Sequence, residues 1–162
     1  MQNRGSHAWA LLDAAVDGIC TASCIAIVVI SFVAVVCRYA FNNSLVWSEE
    51  LTRYLFIWIV FLGAAVGVRR RAHIAIDVFM GRLGPLGDSL LTLLERLATV
   101  AFAALVGIPG WAFVRIGMSN LSPALEIPMG YVYAAPVVGS VLIALYALHP
   151  GRAAASRDNL AV

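Results

Sequence analysis

GICTASCIAIVVISFVAVVC, residues 18–37, is an uncharged run that lies between Asp17 and Arg38. As a helix with a rise of 1.5 Å per residue, these 20 residues span about 30 Å, the thickness of a bilayer's hydrocarbon core. A secretory signal peptide, with Arg4 as its basic residue, is the alternative. The run is longer than the apolar core of such a peptide, and no small-residue cleavage site follows it. It therefore predicts a permanent membrane-spanning helix over about 14–38.

The composition of the whole chain supports this interpretation. Of its 162 residues, 62% are hydrophobic and 12% are charged, and the mean hydropathy is +0.89. Soluble domains are nearer to half apolar and a quarter charged. A chain of this length cannot bury so much apolar surface internally, so much of that surface must face lipid. The net charge of +2 is too small to indicate a nucleic-acid partner.

Three further uncharged runs complete the predicted membrane domain. The run 54–68 is short for a span, so its helix is expected to begin near residue 45. The run 97–114 lies in a longer helix that is expected to begin at Asp88 or Ser89, where a side chain can cap it. The predicted fold class is an all-α integral membrane protein, with one domain over 1–162 and four transmembrane helices at about 14–38, 45–69, 89–116 and 127–148.

The connection between the second and third spans is expected to be helical as well. Residues 72–83 read AHIAIDVFMGRL, and a polar stripe of Arg70, His73 and Asp77 faces mostly apolar positions. This pattern predicts a short amphipathic helix that lies in the membrane interface. The Gly84-Pro85 pair is expected to end it.

The distribution of arginine predicts the orientation. Short cytoplasmic loops are enriched in basic residues. Around the connection between the second and third spans lie four arginines, and the two tails hold three more: Arg69, Arg70, Arg71 and Arg82, then Arg4, Arg152 and Arg157. The N- and C-termini and this connection are therefore predicted to be cytoplasmic.

The densest polar group near the membrane is WSEELTR, residues 47–53. Arg53 lies four residues after Glu49 and three after Glu50, spacings that allow ion pairs on one helical face. Trp47 is suited to the headgroup region. Two interpretations stay open: an anchor with its charges among headgroups, or an ion-pair cluster buried against another helix or subunit.

Gly63 and Gly67 form a small-xxx-small pattern in the second span. Such a pattern lets helices approach closely. A self-associating membrane protein that uses this seam is therefore one alternative function.

Catalytic and redox functions have weaker support. The chain holds no glycine-rich phosphate loop, nucleophile elbow or HExxH motif, and we predict no catalytic residue, metal or cofactor. The main alternative is a small haem- or quinone-linked redox subunit that would use His73 and His149. A solute pathway through this chain alone is also disfavoured, because no charged residue lies in the middle of a predicted span.

Two stretches resemble a known family. The first, residues 47–77, contains W-x-E-E-x-x-R, Trp58, Gly63-Ala64-Ala65, several arginines and His73-Ile74-x-x-Asp77. The second, residues 122–142, contains Ser-Pro-Ala-Leu-Glu-Ile-Pro, then Tyr131, Tyr133 and Pro136. Together they resemble the DctQ-like small membrane subunit of tripartite ATP-independent periplasmic (TRAP) transporters. Met129-Gly130 intervene where the family often has an aromatic residue.

The resemblance implies a division of labour in a bacterial inner membrane. A large membrane subunit of about twelve spans would bind the solute and sodium, and a periplasmic solute-binding protein would deliver the solute, often a carboxylate. The small subunit, surrounded by membrane lipids, would brace the large one. By position, the family's marked residues fall on Glu49, Glu50, Arg53, Gly63, Arg70, His73 and Asp77.

Overall fold

A computed structural model of the chain describes residues 3–70 and 84–148. It contains four helices: α1, Asn3–Ala40; α2, Val46–Arg69; α3, Gly84–Gly117; and α4, Gly130–Leu148. Each contains a segment long and apolar enough to cross a membrane. Within the described ranges, the β-structure is one isolated bridge between Leu121 and Pro128. The predicted all-α membrane fold with four apolar helices is therefore confirmed, whereas the interfacial helix proposed for 72–83 falls outside the described residues.

Two helix starts differ from the sequence-based expectations. α1 begins at Asn3, well before the membrane span expected from residue 14, because a helix can continue past the hydrocarbon core. α3 begins at Gly84, so the expected starts at Asp88 or Ser89 are wrong. Proline is tolerated in the first turn of a helix, since the N–H that it lacks would have no partner there. Pro85 therefore belongs to the beginning of α3.

α4 lies at the centre of the arrangement. It packs against both α2 and α3, whereas α1 packs mainly against α2. Glycines permit the closest approaches to α4. A Cβ atom on Gly139 would lie 2.7 Å from Cβ of Phe61 in α2, and one on Gly117 would lie 2.6 Å from Cδ2 of Tyr133. Side chains at these two positions would force the helices apart.

The buried core is small and the outer surface is strongly apolar. Leu62 and Ala65 of α2 pack with Ile143 of α4 in the core. In contrast, the large side chains of Phe32 and Leu105 are 69% and 75% exposed. A water-soluble protein rarely leaves a continuous apolar surface of this kind. The outer faces of the helices are thus suited to contact lipid or another membrane protein.

Candidate functional site: polar clusters at the two ends of α2

The first polar cluster, which we call the loop cluster, joins the beginning of α2 to the connection between α3 and α4. The side chain of Glu50 is buried. Its Oε2 accepts hydrogen bonds from the backbone N–H groups of Ala124 and Leu125, with N···O distances of 2.8 and 3.2 Å. The hydroxyl of Tyr54, one turn further along α2, donates to Oε1 of Glu50. One carboxylate therefore holds two distant parts of the chain together.

The α3–α4 connection is folded so that its amides can reach Glu50. The N–H of Ser122 donates to the carbonyl of Ile127 at 2.9 Å, and the N–H of Met129 donates to the carbonyl of Asn120 at 2.9 Å. Ser122 is buried inside this turn. An amide without a partner is costly at the edge of an apolar phase. Glu50 thus accepts hydrogen bonds from two amides, those of Ala124 and Leu125, that the backbone hydrogen bonds of the connection do not use.

The ion pairs that helical spacing allows between Arg53 and Glu49 or Glu50 do not form among the described residues. In the described part of the chain, Arg53 forms no ion pair, and the salt bridges instead involve Arg69. Glu50 and Tyr54 face inward, whereas Glu49 and Arg53 are exposed on another face of α2. Helical spacing places these residues near one another, but it does not show which of them the rest of the protein covers. Whether Glu49 and Arg53 meet headgroups or a subunit stays a prediction.

The second cluster, the arginine cluster, lies at the other end of α2. Nη2 of Arg69 donates to both carboxylate oxygens of Asp17, at 2.7 and 2.8 Å. Nη1 of Arg69 lies 3.4 Å from Oδ1 of Asp13. The Tyr146 hydroxyl donates to the same Oδ1 at 3.0 Å. These contacts join α1, α2 and α4 at one point.

The arginine cluster is largely shielded. Relative exposure is 11% for the Arg69 side chain, 17% for Asp13 and 43% for Asp17. The ring of Trp9 packs against Tyr146 with centroids 6.2 Å apart, which covers one side of the cluster. Opposite charges inside such a site interact strongly, because little water screens them. The cluster therefore fixes the N-terminal half of α1, whose outer face has few protein contacts.

The arginine cluster was not predicted from the sequence. Asp17 marked the limit of an apolar run, and Arg69 was one of the arginines that predicted the orientation. The available signal was the spacing of Asp13 and Asp17, which places two carboxylates on one face of α1. Two carboxylates on one face favour a nearby cation. Spacing alone could not show that this cation would be Arg69 and not the neighbouring Arg70.

The distance between the clusters matches a membrane. Glu50 and Arg69 are 19 residues apart on α2, so they are about 28 Å apart along its axis. This is close to the thickness of a hydrocarbon core. The spacing of the two clusters therefore suits the opposite boundaries of an apolar layer of this thickness.

The other predicted site residues are dispersed. Trp47 is 40% exposed in the first turn of α2, and Trp58 packs against the core. Among residues 3–70 and 84–148, no atom lies within 4 Å of a Cβ built on Gly63 or Gly67, so the described helices do not pack closely on that seam. Arg70 is exposed at the end of α2. The remaining predicted residues are outside the described ranges: His73, Asp77 and His149.

Comparison with known families identifies the chain's relatives. Residues 27–152 match the family described as "Tripartite ATP-independent periplasmic transporters, DctQ component". The chain belongs to this family. The resemblance drawn from the two sequence stretches is thereby confirmed, and this component of TRAP transporters is a multi-pass protein of the bacterial inner membrane.

Individual relatives agree with this placement. One relative is a Haemophilus influenzae protein named as a TRAP transporter small permease protein. It is 28% identical over 132 residues, which cover 82% of each chain. The C4-dicarboxylate TRAP transporter small permease protein DctQ of Rhodobacter capsulatus is 39% identical over 62% of this chain and 45% of its own length. The sialic acid TRAP transporter permease protein SiaT of H. influenzae is 41% identical over 38% of this chain but only 10% of its own length.

The structure adds a physical relation between the two stretches that carry the TRAP resemblance. Glu50 belongs to the first stretch, and Ala124 and Leu125 belong to the second. Their hydrogen bonds show that these two motifs form one local structure, although they are about 75 residues apart in the sequence.

Proposed function

We propose that this chain is the non-catalytic small permease subunit of a sodium-coupled TRAP importer, and that it braces the large permease subunit. The distribution of charge carries this proposal. In the described residues, the charged side chains of the arginine cluster, and those of Arg38, Glu49, Glu50 and Arg53 near the α1–α2 connection, lie at the ends of the apolar runs, and the middles are uncharged. Transport proteins usually place polar or ionisable groups near the midplane to bind their solute. The solute pathway therefore belongs to another chain.

A bracing role fits the way in which the helices are held. The loop cluster and the arginine cluster fix α2 at both ends, and Gly139 lets α4 lie directly against it. The described residues leave space beside Gly63 and Gly67 on α2. A pre-organised helix with an open small-residue face is suited to pack against a partner helix without losing much conformational entropy. The match to SiaT, in which the similar segment is a small part of a much longer permease chain, supports a large partner.

The proposed solute is an acidic small molecule, most simply a carboxylate. Relatives are named for C4-dicarboxylates and for sialic acid, both of which are carboxylates, and one is named for the sulfonate isethionate. A large subunit of about twelve spans would bind the solute together with sodium. A periplasmic solute-binding protein would deliver it.

Reconstitution tests this proposal. Proteoliposomes that contain the chain, its large permease partner and the binding protein should take up the solute only when a sodium gradient is present. Proteoliposomes that contain this chain alone should show no uptake. Solute accumulation by the chain alone would overturn the proposal, and so would a full system whose uptake is unchanged when choline replaces sodium.

We also propose that both termini, together with the arginine cluster, are on the cytoplasmic side. The concentration of arginines after α2 supports this orientation. In a cysteine-free background, a membrane-impermeant maleimide should label Asn43→Cys in intact spheroplasts, and should label Arg70→Cys only after lysis. The reverse labelling pattern would contradict the orientation.

A further inference from the structure

A cavity of about 530 Å³ lies between the last turns of α1 and the first turns of α2. It is separate from the loop cluster, because Glu49 and Arg53 line it, whereas Glu50 does not line it and binds the α3–α4 connection. The α1–α2 connection covers part of it through Ser44 and Leu45. Its position at the ends of two membrane-spanning helices places it where the apolar layer meets the headgroups.

The walls of this cavity differ in polarity. Its lining residues at the helix ends include Arg38 and Arg53, which are cationic, and Glu49, which is anionic. Deeper along the helices, its lining residues are mostly apolar and include Ala34, Val35 and Phe56, together with the small polar Ser31.

No other described residue neutralises the charges around the cavity. Neither Arg38 nor Arg53 forms an ion pair with any residue of the described ranges, and both side chains are exposed. With two arginines and one glutamate, the lining carries a net charge of +1. A single negative charge would neutralise it.

We propose that this α1–α2 cavity binds a glycerophospholipid, with its phosphodiester between Arg38 and Arg53 and an acyl chain along the wall that contains Ala34 and Phe56. Three properties of the cavity match this ligand. The site is cationic at the headgroup level, it is apolar toward the membrane centre, and its volume is in the range of small-molecule sites. Arginine suits phosphate because its planar fork can donate two hydrogen bonds to two oxygens.

The charge balance predicts a preference among lipids. An anionic lipid such as phosphatidylglycerol neutralises the net charge of +1 on the lining. Zwitterionic phosphatidylcholine has no net charge, and its bulky ammonium group has only the carboxylate of Glu49 as an anionic partner among the lining residues. The site should therefore hold phosphatidylglycerol more tightly than phosphatidylcholine. Glu49 repels the phosphate, so its removal should strengthen the binding of phosphatidylglycerol.

Native mass spectrometry of the purified full-length chain, titrated with phosphatidylglycerol or phosphatidylcholine in a non-ionic detergent, tests the proposal. The wild type should retain one tightly bound phosphatidylglycerol. Arg38→Gln and Arg53→Gln should each weaken that binding by about fivefold, the effect typical of one basic residue at an anionic membrane surface. Arg115→Gln is the matched control, since Arg115 is an exposed arginine in the last turn of α3 that does not line the cavity.

Two further variants test the parts of the site separately. Glu49→Gln should increase the affinity for phosphatidylglycerol, and Ala34→Phe should reduce it by filling the apolar wall. Equal lipid binding by Arg53→Gln and Arg115→Gln would overturn the proposal. So would an affinity that Glu49→Gln leaves unchanged. If inorganic phosphate displaces the lipid and Ala34→Phe has no effect, the cavity takes free anions and the lipid assignment is wrong.

Discussion

Replacing Arg69 by alanine is expected to lower the free energy of unfolding by about 3 kcal/mol. The substitution removes the guanidinium that contacts both Asp13 and Asp17, and it takes from the Asp17 carboxylate a cation bound through two hydrogen bonds. Loss of one member of a buried ion pair typically costs about 3–5 kcal/mol. The lower end applies here because the Asp17 side chain is 43% exposed. Unfolding in mixed micelles of dodecyl maltoside and dodecyl sulfate measures the change.

Arg70→Ala is the matched control for this experiment. Arg70 is the next residue along the chain, is exposed, and forms no salt bridge with the described residues. Its removal should change the free energy of unfolding by no more than about 0.5 kcal/mol. A double-mutant cycle of Arg69→Ala with Asp13→Asn should give a clear coupling energy. Equal stability of the two arginine variants would show that the arginine cluster does not fix α1.

Replacing Gly139 by leucine is expected to destabilise the chain by about 3 kcal/mol, at the upper end of the cost of overpacking. Even a single Cβ at this position would lie 2.7 Å from Cβ of Phe61 and 3.0 Å from its carbonyl oxygen. A whole leucine side chain must therefore separate α4 from α2. Unfolding in mixed micelles again provides the measurement.

Gly63→Leu provides both a control and a test of the open face. No atom of the described residues lies within 4 Å of a Cβ at position 63, so the isolated chain should keep its stability or gain slightly from the better helix former. In the assembled transporter, however, the same variant should reduce co-purification of the large permease subunit. Full recovery of that subunit with Gly63→Leu would show that the partner packs elsewhere.

The sequence was sufficient for the spans because length and hydrophobicity are local properties. The run 18–37 and its neighbours are uncharged for long enough to cross a bilayer, whatever the rest of the chain does. The start of α3 was harder to predict, since Gly84-Pro85 can end one helix as readily as it can begin another.

The polar clusters were harder to predict because their partners are distant in the sequence. Spacing showed that Glu50 could reach Arg53, which lies on the same helix. It could not show that the amides of Ala124 and Leu125 would compete for that carboxylate and bind it. The same limit applies to Arg69 and Asp17, which are 52 residues apart. Local periodicity identifies possible neighbours, but only the packing of the helices shows which contacts form.

The two clusters also have a consequence for how the protein fits membranes of different thickness. Glu50 and Arg69 are each bound to other parts of the chain, so α2 cannot slide along the bilayer normal independently of α1 and α4. Its charged ends are held about 28 Å apart. A thicker bilayer must therefore thin around the protein, whereas a thinner one requires the four helices to tilt together. The fixed length between the charged ends of α2 thus sets the hydrophobic thickness of the whole subunit.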